Sequence, residues 1–327
     1  DETRFDVDGE TRFERAKNMV TWLYQAVIKY DFLQRILTKP AYEHLILDSQ
    51  YPAFWQVDLN SGLHIPIEFA GAAYRFGHSM VRKSYRLNDT VGAVGFRALF
   101  EMTGRGGNTG PNRIRENRVD WTRFFSPPES DVVHNFARPV SCRLAPMLTE
   151  MPNEAADNNN LAVRNLLRGK ELGLPTAEAI IDFVANSHVA EYAQDLGIDT
   201  PISFDEERFA QFSDLVQILT GPSFVGQTPL WTYVLLEPTP DPTGSPPTWM
   251  GRLGPLGSVI VAEVFRALLA RTGVATDENT GGIEVPANQD QVDDFLSRKR
   301  VIPTEGLGPE QRPSEALTML HLVNLVH

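Results

Sequence analysis

His78 stands between two arginines, Arg75 and Arg82, in the stretch HIPIEFAGAAYRFGHSMVRKSYRLN at 64–88. A neutral imidazole offers one ring nitrogen to a metal, and a guanidinium pairs with an anion, so this trio points to a group that carries both. Pro66 suits a first helical turn, and Phe69, Ala73, Phe76 and Met80 recur at spacings of three and four. That spacing predicts a helix packed along one apolar side, with Arg75 and Arg82 about one turn below and above His78. A lone imidazole on a packed helix is more often a hydrogen-bonded core histidine than a ligand. Two half-buried cations on its face shift that balance, because they require an anion close by.

A second block, LAVRNLLRGKELGLP at 161–175, places Asn165 and Arg168 three residues apart, on one side of a helix. An amide carbonyl set against the far nitrogen of an imidazole would fix its tautomer and ring plane, leaving the near nitrogen for a metal. A neutral amide pushes less electron density to that metal than a carboxylate would. The plainer alternative is that Asn165 caps a helix C-terminus and Arg168 is a solvated charge. Haem meets the demands of the first block, offering iron to the imidazole and propionates to arginine.

At these residues the chain resembles the animal-type haem peroxidases of the peroxidase–cyclooxygenase superfamily, especially bacterial members. The likeness runs through Glu68, Phe69, Ala72, Ala73, Tyr74, Arg75, Phe76, Gly77, His78, Ser79, Met80, Val81 and Arg82. The resemblance implies His78 as the proximal ligand of the haem iron, Asn165 as the acceptor of its hydrogen bond, and Arg75 and Arg168 as propionate contacts. Weaker likenesses lie in FERAKNMVTWLYQAVIKYDFL at 13–33, PLWTYVLLE at 229–237 and GRLGPLGSVIVAEVFRALL at 251–269. Together they imply a mainly α, multi-helical haem-peroxidase fold, incomplete at its N-terminal side, with residues 1–327 forming the C-terminal portion of one domain.

The family carries its distal histidine, distal arginine and calcium loop ahead of the helix that here begins near Phe13. The lead-in DETRFDVDGETR holds no histidine. Asp6, Asp8 and Glu10 lack the further spacing of an EF-hand, so an acidic, solvated lead-in is the expectation and any calcium site lies upstream. Peroxide cleavage needs a base for the hydroperoxide proton and a cation for the separating charge. The expectation is a proximal half-site completed by an N-terminal or light-chain polypeptide, with hydrogen peroxide and a small reductant as substrates. A haemless relative acting as an interaction scaffold is the contrasting class.

Within the superfamily, fatty-acid dioxygenases place a radical-forming tyrosine three residues before the proximal histidine. Here that position is Arg75, and Tyr74 is turned from it by about a hundred degrees on an α-helix. Peroxidase activity, of the kind that answers oxidative stress, is therefore preferred, with lipid oxygenation second.

The remaining elements fit a chain able to bury a large core. It has 327 residues, 42% of them hydrophobic. Its net charge of −12 argues against nucleic acid and against an anionic membrane surface, and no apolar run is long enough to span a bilayer. The single cysteine, Cys142, excludes an intrachain disulfide, unlike disulfide-rich secreted peroxidases. Periodicity predicts a helix over 13–33, where Phe13, Ala16, Val20, Leu23, Tyr24 and Val27 share a face. Others are expected at 176–190, 204–220, 287–299 and 312–325, with loops at 104–118, 238–248 and 272–286.

Other constellations carry less. GRGGNTG at 104–110 lacks the lysine of a phosphate loop, and GPSFVG at 221–226 lacks the spacing of a nucleophile elbow. His188 and Glu191 would share a helical face without a second histidine, and His44, His64, His134, His321 and His327 fall into no metal-ligand spacing.

Overall fold

The computed structural model describes residues 13, 17, 20, 21, 24–48, 51–54, 65–88, 92–95, 140, 160–202, 226–239 and 252–271. The helices expected at 204–220, 287–299 and 312–325, the loops at 104–118 and 272–286, most of 238–248, Asp6, Asp8, Glu10, Cys142, His64, His134, His321 and His327 lie outside them. The described residues are mainly helical, as the sequence predicts. The chain divides into two compact units, one of Asp1–Arg35 with Phe265–His327 and one of Ile36–Val264.

In the first unit, residues 24–27 are helical and the chain then widens into a π-helical turn at Ile28–Phe32, where the Leu33 N–H donates to the Ile28 carbonyl. The Asp31 carboxylate is buried and ion-paired with Arg35. Phe32 meets Phe265 edge to face, with ring centroids 6.1 Å apart. The face expected to pack is only partly covered, since Val27 is buried while Phe13, Val20 and Tyr24 are each more than 60% exposed. Periodicity identifies which residues share a side; it does not say what lies against that side.

The second unit holds the candidate site. The segment expected to form one helix over 64–88 instead breaks into three. A short helix, α1, Ile67–Gly71, ends at Ala72, whose backbone turns to φ −134°, ψ −72°. A tighter 3₁₀ segment, Ala73–Met80, follows. Val81 is extended, and strand β1, Ser84–Asn88, pairs antiparallel with β2, Gly92–Gly95. The register joins Ser84 to Gly95 and Tyr85 to Val94, with an irregularity between Arg86 and Asn88 that leaves Leu87 fully buried. Arg82 thus lies beyond the helical segment rather than a turn above His78, and its backbone N–H donates to the Tyr85 hydroxyl at 3.0 Å. Phe69, Ala73 and Phe76 are buried as the spacing predicts.

Helix α2, Leu161–Glu171, starts at Asn160, whose side chain accepts from the Val163 N–H at 3.1 Å. Helix α3, Ala177–Ala185, is capped by Thr176 in the same way. The single helix expected at 176–190 ends there, because Asn186 and Ser187 turn their side chains onto the carbonyls of Asp182 and Val184. Helix α4, Ala190–Leu196, resumes after this turn and closes on Gly197, whose φ of 72° suits a residue without a Cβ.

Helix α5, Leu230–Leu236, has six of its seven residues buried and packs on both the 3₁₀ segment and α2. Its start is tied to α3 by Glu178, which accepts from the Thr228 N–H at 2.8 Å and from the Thr228 hydroxyl. Helix α6, Pro255–Arg271, begins at a proline that has no N–H to satisfy. Its next two N–H groups, Leu256 and Gly257, donate to the buried Glu237 carboxylate at 3.0 and 3.3 Å. Among the described residues no helix is long and apolar enough to cross a membrane.

Candidate functional site

A 3₁₀ helix has three residues per turn, so residues three apart eclipse one another. Arg75 and His78 have that spacing, and the change from α to 3₁₀ geometry at Ala72 therefore stacks guanidinium and imidazole on one face. Across from them, Asn165 is wholly buried in the middle of α2. This position rules out the C-cap alternative. Helix α1 closes on the end of α2 at Gly71, where a Cβ would meet only the side-chain tips Leu172 Cδ1 at 2.9 Å and Leu174 Cδ1 at 3.0 Å.

The three side chains form a chain of hydrogen bonds. Arg75 Nε donates to the Ala70 carbonyl at 3.0 Å and Arg75 Nη1 donates to Asn165 Oδ1 at 3.1 Å. Asn165 Nδ2 then faces His78 Nδ1 at 2.9 Å. An amide nitrogen only donates, so Nδ1 accepts and the neutral ring carries its proton on Nε2. The expected bond runs the other way, from the ring to the amide carbonyl. In this structure that oxygen is taken by Arg75.

His78 is half-buried. Burial first, and then the neighbouring Arg75 charge, hold its imidazole below the ordinary value of 6.5. The ring is accordingly neutral at neutral pH, the form in which imidazole ligates a metal. Arg168, one turn past Asn165, is half-exposed and pairs with Glu171 at 3.2 Å. The structure thus brings Arg75, His78 and Asn165 together and directs Arg168 to a neighbour on its own helix. His188 is exposed in the turn before α4, so it shares no helical face with Glu191. No group of three or more metal-ligating side chains occurs among the described residues.

Several features fit a flat, apolar, anionic metallocycle. Asn165 leaves Nε2 as the one ring nitrogen of His78 that it does not occupy. The 3₁₀ segment bearing His78 exposes Tyr74, and α2, bearing Asn165, exposes Val163, Leu166 and Leu167. The Trp231 indole N–H, on the helix packed against both elements, is buried with no acceptor among the described residues. Sequence reasoning overlooked Trp231, although an indole inside the apolar run LWTYVLL has no acceptor on its own helix face.

The family model for animal haem peroxidases matches residues 2–268. The chain belongs to the animal haem peroxidase family. Comparison with curated proteins finds no match. Membership of this family makes the chain part of a group of haem-binding oxidoreductases.

Proposed function

We propose that this haem peroxidase reduces hydrogen peroxide at the expense of small electron donors, with His78 Nε2 as the atom that would hold the haem iron. In this reading Asn165 orients the ring, and Arg75 and Arg168 meet the propionates. Haem, when bound, would supply the redox-active iron for peroxide chemistry. This chain's own residues hold the imidazole neutral, fix its plane and place positive charge beside it. The histidine and arginine that act on peroxide itself come, in this reading, from an N-terminal or light-chain polypeptide. The observation that carries the proposal is the 2.9 Å contact between buried Asn165 and His78 Nδ1.

Lipid oxygenation is less favoured. Arg75 occupies the position three residues before His78, and in 3₁₀ geometry Tyr74 is rotated by roughly 120° from the face that carries both. Its ring is partly exposed and stacks on Phe69, with centroids 4.5 Å apart.

The test is an absorption spectrum of the purified protein with added haem. A Soret band at one haem per chain is expected, and His78→Ala should lose it while added imidazole restores it. Equal haem binding by wild type and His78→Ala, with unchanged axial ligation, would overturn the assignment.

A further inference from the structure

The polarity of the Arg75–Asn165–His78 chain has a consequence that neither the family nor the proximal role of His78 supplies. A primary amide has one accepting and one donating end. While Arg75 Nη1 donates to Asn165 Oδ1 at 3.1 Å, the donating end must face His78 Nδ1, as it does at 2.9 Å. Turning the amide over with Arg75 in place would set two donors, Nη1 and Nδ2, against each other. The ring is consequently held with its proton on Nε2, the nitrogen that a metal would need.

We propose that Arg75 is a positioning residue that, through Asn165, decides which nitrogen of His78 is free to ligate. With Arg75 on the amide, Nε2 is capped by its own proton. A carboxylate drawn onto Arg75 gives the guanidinium a stronger, charge-assisted partner and releases Oδ1. The amide then rotates so that Oδ1 accepts from Nδ1–H, the ring proton moves from Nε2 to Nδ1 by way of solvent, and the Nε2 lone pair is exposed. No proton is gained or lost overall, since one tautomer of neutral imidazole replaces the other. Arg75 is placed to make this exchange: it is half-exposed, and its Nη2 has no hydrogen-bond partner among the described residues. Recognition of the carboxylate edge of a ligand and exposure of the ligating nitrogen are thereby linked.

The inference rests on the haem reading for the identity of the ligand, but its first arm needs no haem. In the cofactor-free protein, nitrogen-15 NMR of the histidine ring should show His78 of the wild type protonated on Nε2. In Arg75→Leu, where the amide can face either way, the Nδ1 and Nε2 shifts should move toward each other. A wild-type ring protonated on Nδ1, or shifts identical in the two proteins, would overturn the proposal.

The second arm compares iron protoporphyrin with its dimethyl ester, read by the iron–histidine stretch in resonance Raman of the ferrous state. The wild type should show the stretch with the free acid and lose it with the diester. Arg75→Leu should recover it with the diester. If Arg75 were only an anchor for propionate, the substitution would weaken the free-acid complex and leave the diester complex as it is in the wild type, and that result also overturns the proposal. Failure of every protein to bind either porphyrin would instead sink the haem reading, leaving the NMR arm to decide the tautomer.

Discussion

Asn165 Nδ2 lies 2.9 Å from His78 Nδ1, although the two residues are 87 apart in the chain and sit on different elements. That contact is possible because Ala72 ends α1 early and the chain continues as a 3₁₀ helix. It holds the plane of the imidazole before any ligand arrives, so the ring has less orientational freedom to lose on binding.

The first prediction concerns Asn165. Truncation to Ala leaves Arg75 Nη1 and His78 Nδ1 without their partner in a half-buried setting, at a cost of about 1 kcal/mol. The urea midpoint should fall, with an unchanged denaturant slope. Asn165→Asp keeps the shape but sets a carboxylate beside the ring, which favours imidazolium and should raise the His78 pKa from its depressed position. An NMR titration of the ring protons checks this; a His78 that titrates as low as in the wild type would contradict it.

Two glycines should differ in their tolerance of a methyl group. At Gly257 a Cβ would meet Val234 Cγ1 at 2.9 Å, and Val234 is a stiff, β-branched residue that is 1% exposed. Overpacking there costs about 1–3 kcal/mol and outweighs the gain of up to about 1 kcal/mol that alanine brings to a helix. At Gly71 the nearest atoms are methyl tips of Leu172 and Leu174, neither of them buried, which can turn aside. Thermal melts should place Gly71→Ala close to the wild type and Gly257→Ala clearly below it.

Ser258 should matter more than its size implies. Its hydroxyl accepts from the buried Thr38 N–H at 2.9 Å, joining residues 220 apart in sequence. Ser258→Ala strands that N–H at a cost of about 1–3 kcal/mol. Amide hydrogen exchange at Thr38 should accelerate together with the loss of stability, and protection equal to the wild type would refute the assignment.

That His78, Arg75 and Asn165 come together was legible through the family motifs that carry them, and α6 was legible through the likeness of GRLGPLGSVIVAEVFRALL at 251–269 to a late helix of the family. The break at Ala72 was not. Alanine is the strongest helix former, and it is tertiary contact, with α1 closing on α2 through Gly71 and α5 packed on the 3₁₀ segment, that overrides its preference. The π-helical turns at Ile28–Phe32 and Tyr42–Leu47 were illegible for a related reason, since an i to i+5 register is chosen by packing and leaves no mark in composition. The polarity of the Asn165 bond in this structure differs from the expected one because sequence spacing shows which residues meet, whereas the direction of an amide depends on its second partner, Arg75.

Glu237 carries the clearest pH prediction. Desolvation dominates its environment and pushes the carboxyl from an ordinary 4.5 up to about 8, with the Leu256 and Gly257 N–H groups pulling the other way. Between those two values the folded chain holds a proton that the unfolded chain has released. Stability contributed by this group is therefore complete below about pH 4.5 and is lost as pH rises to about 8. His78 has the opposite sign: its depressed pKa makes acid destabilising, in a window that begins at 6.5 and extends downward. The two can be separated by substitution. Glu237→Gln should flatten the decline of stability between pH 5 and 8 and leave the acid limb in place, because an amide carries no proton to lose at the start of α6. The check is a series of urea midpoints across that range for both proteins; parallel curves would show that Glu237 is ionised in the fold throughout, held by the two helix N–H groups against the cost of its burial.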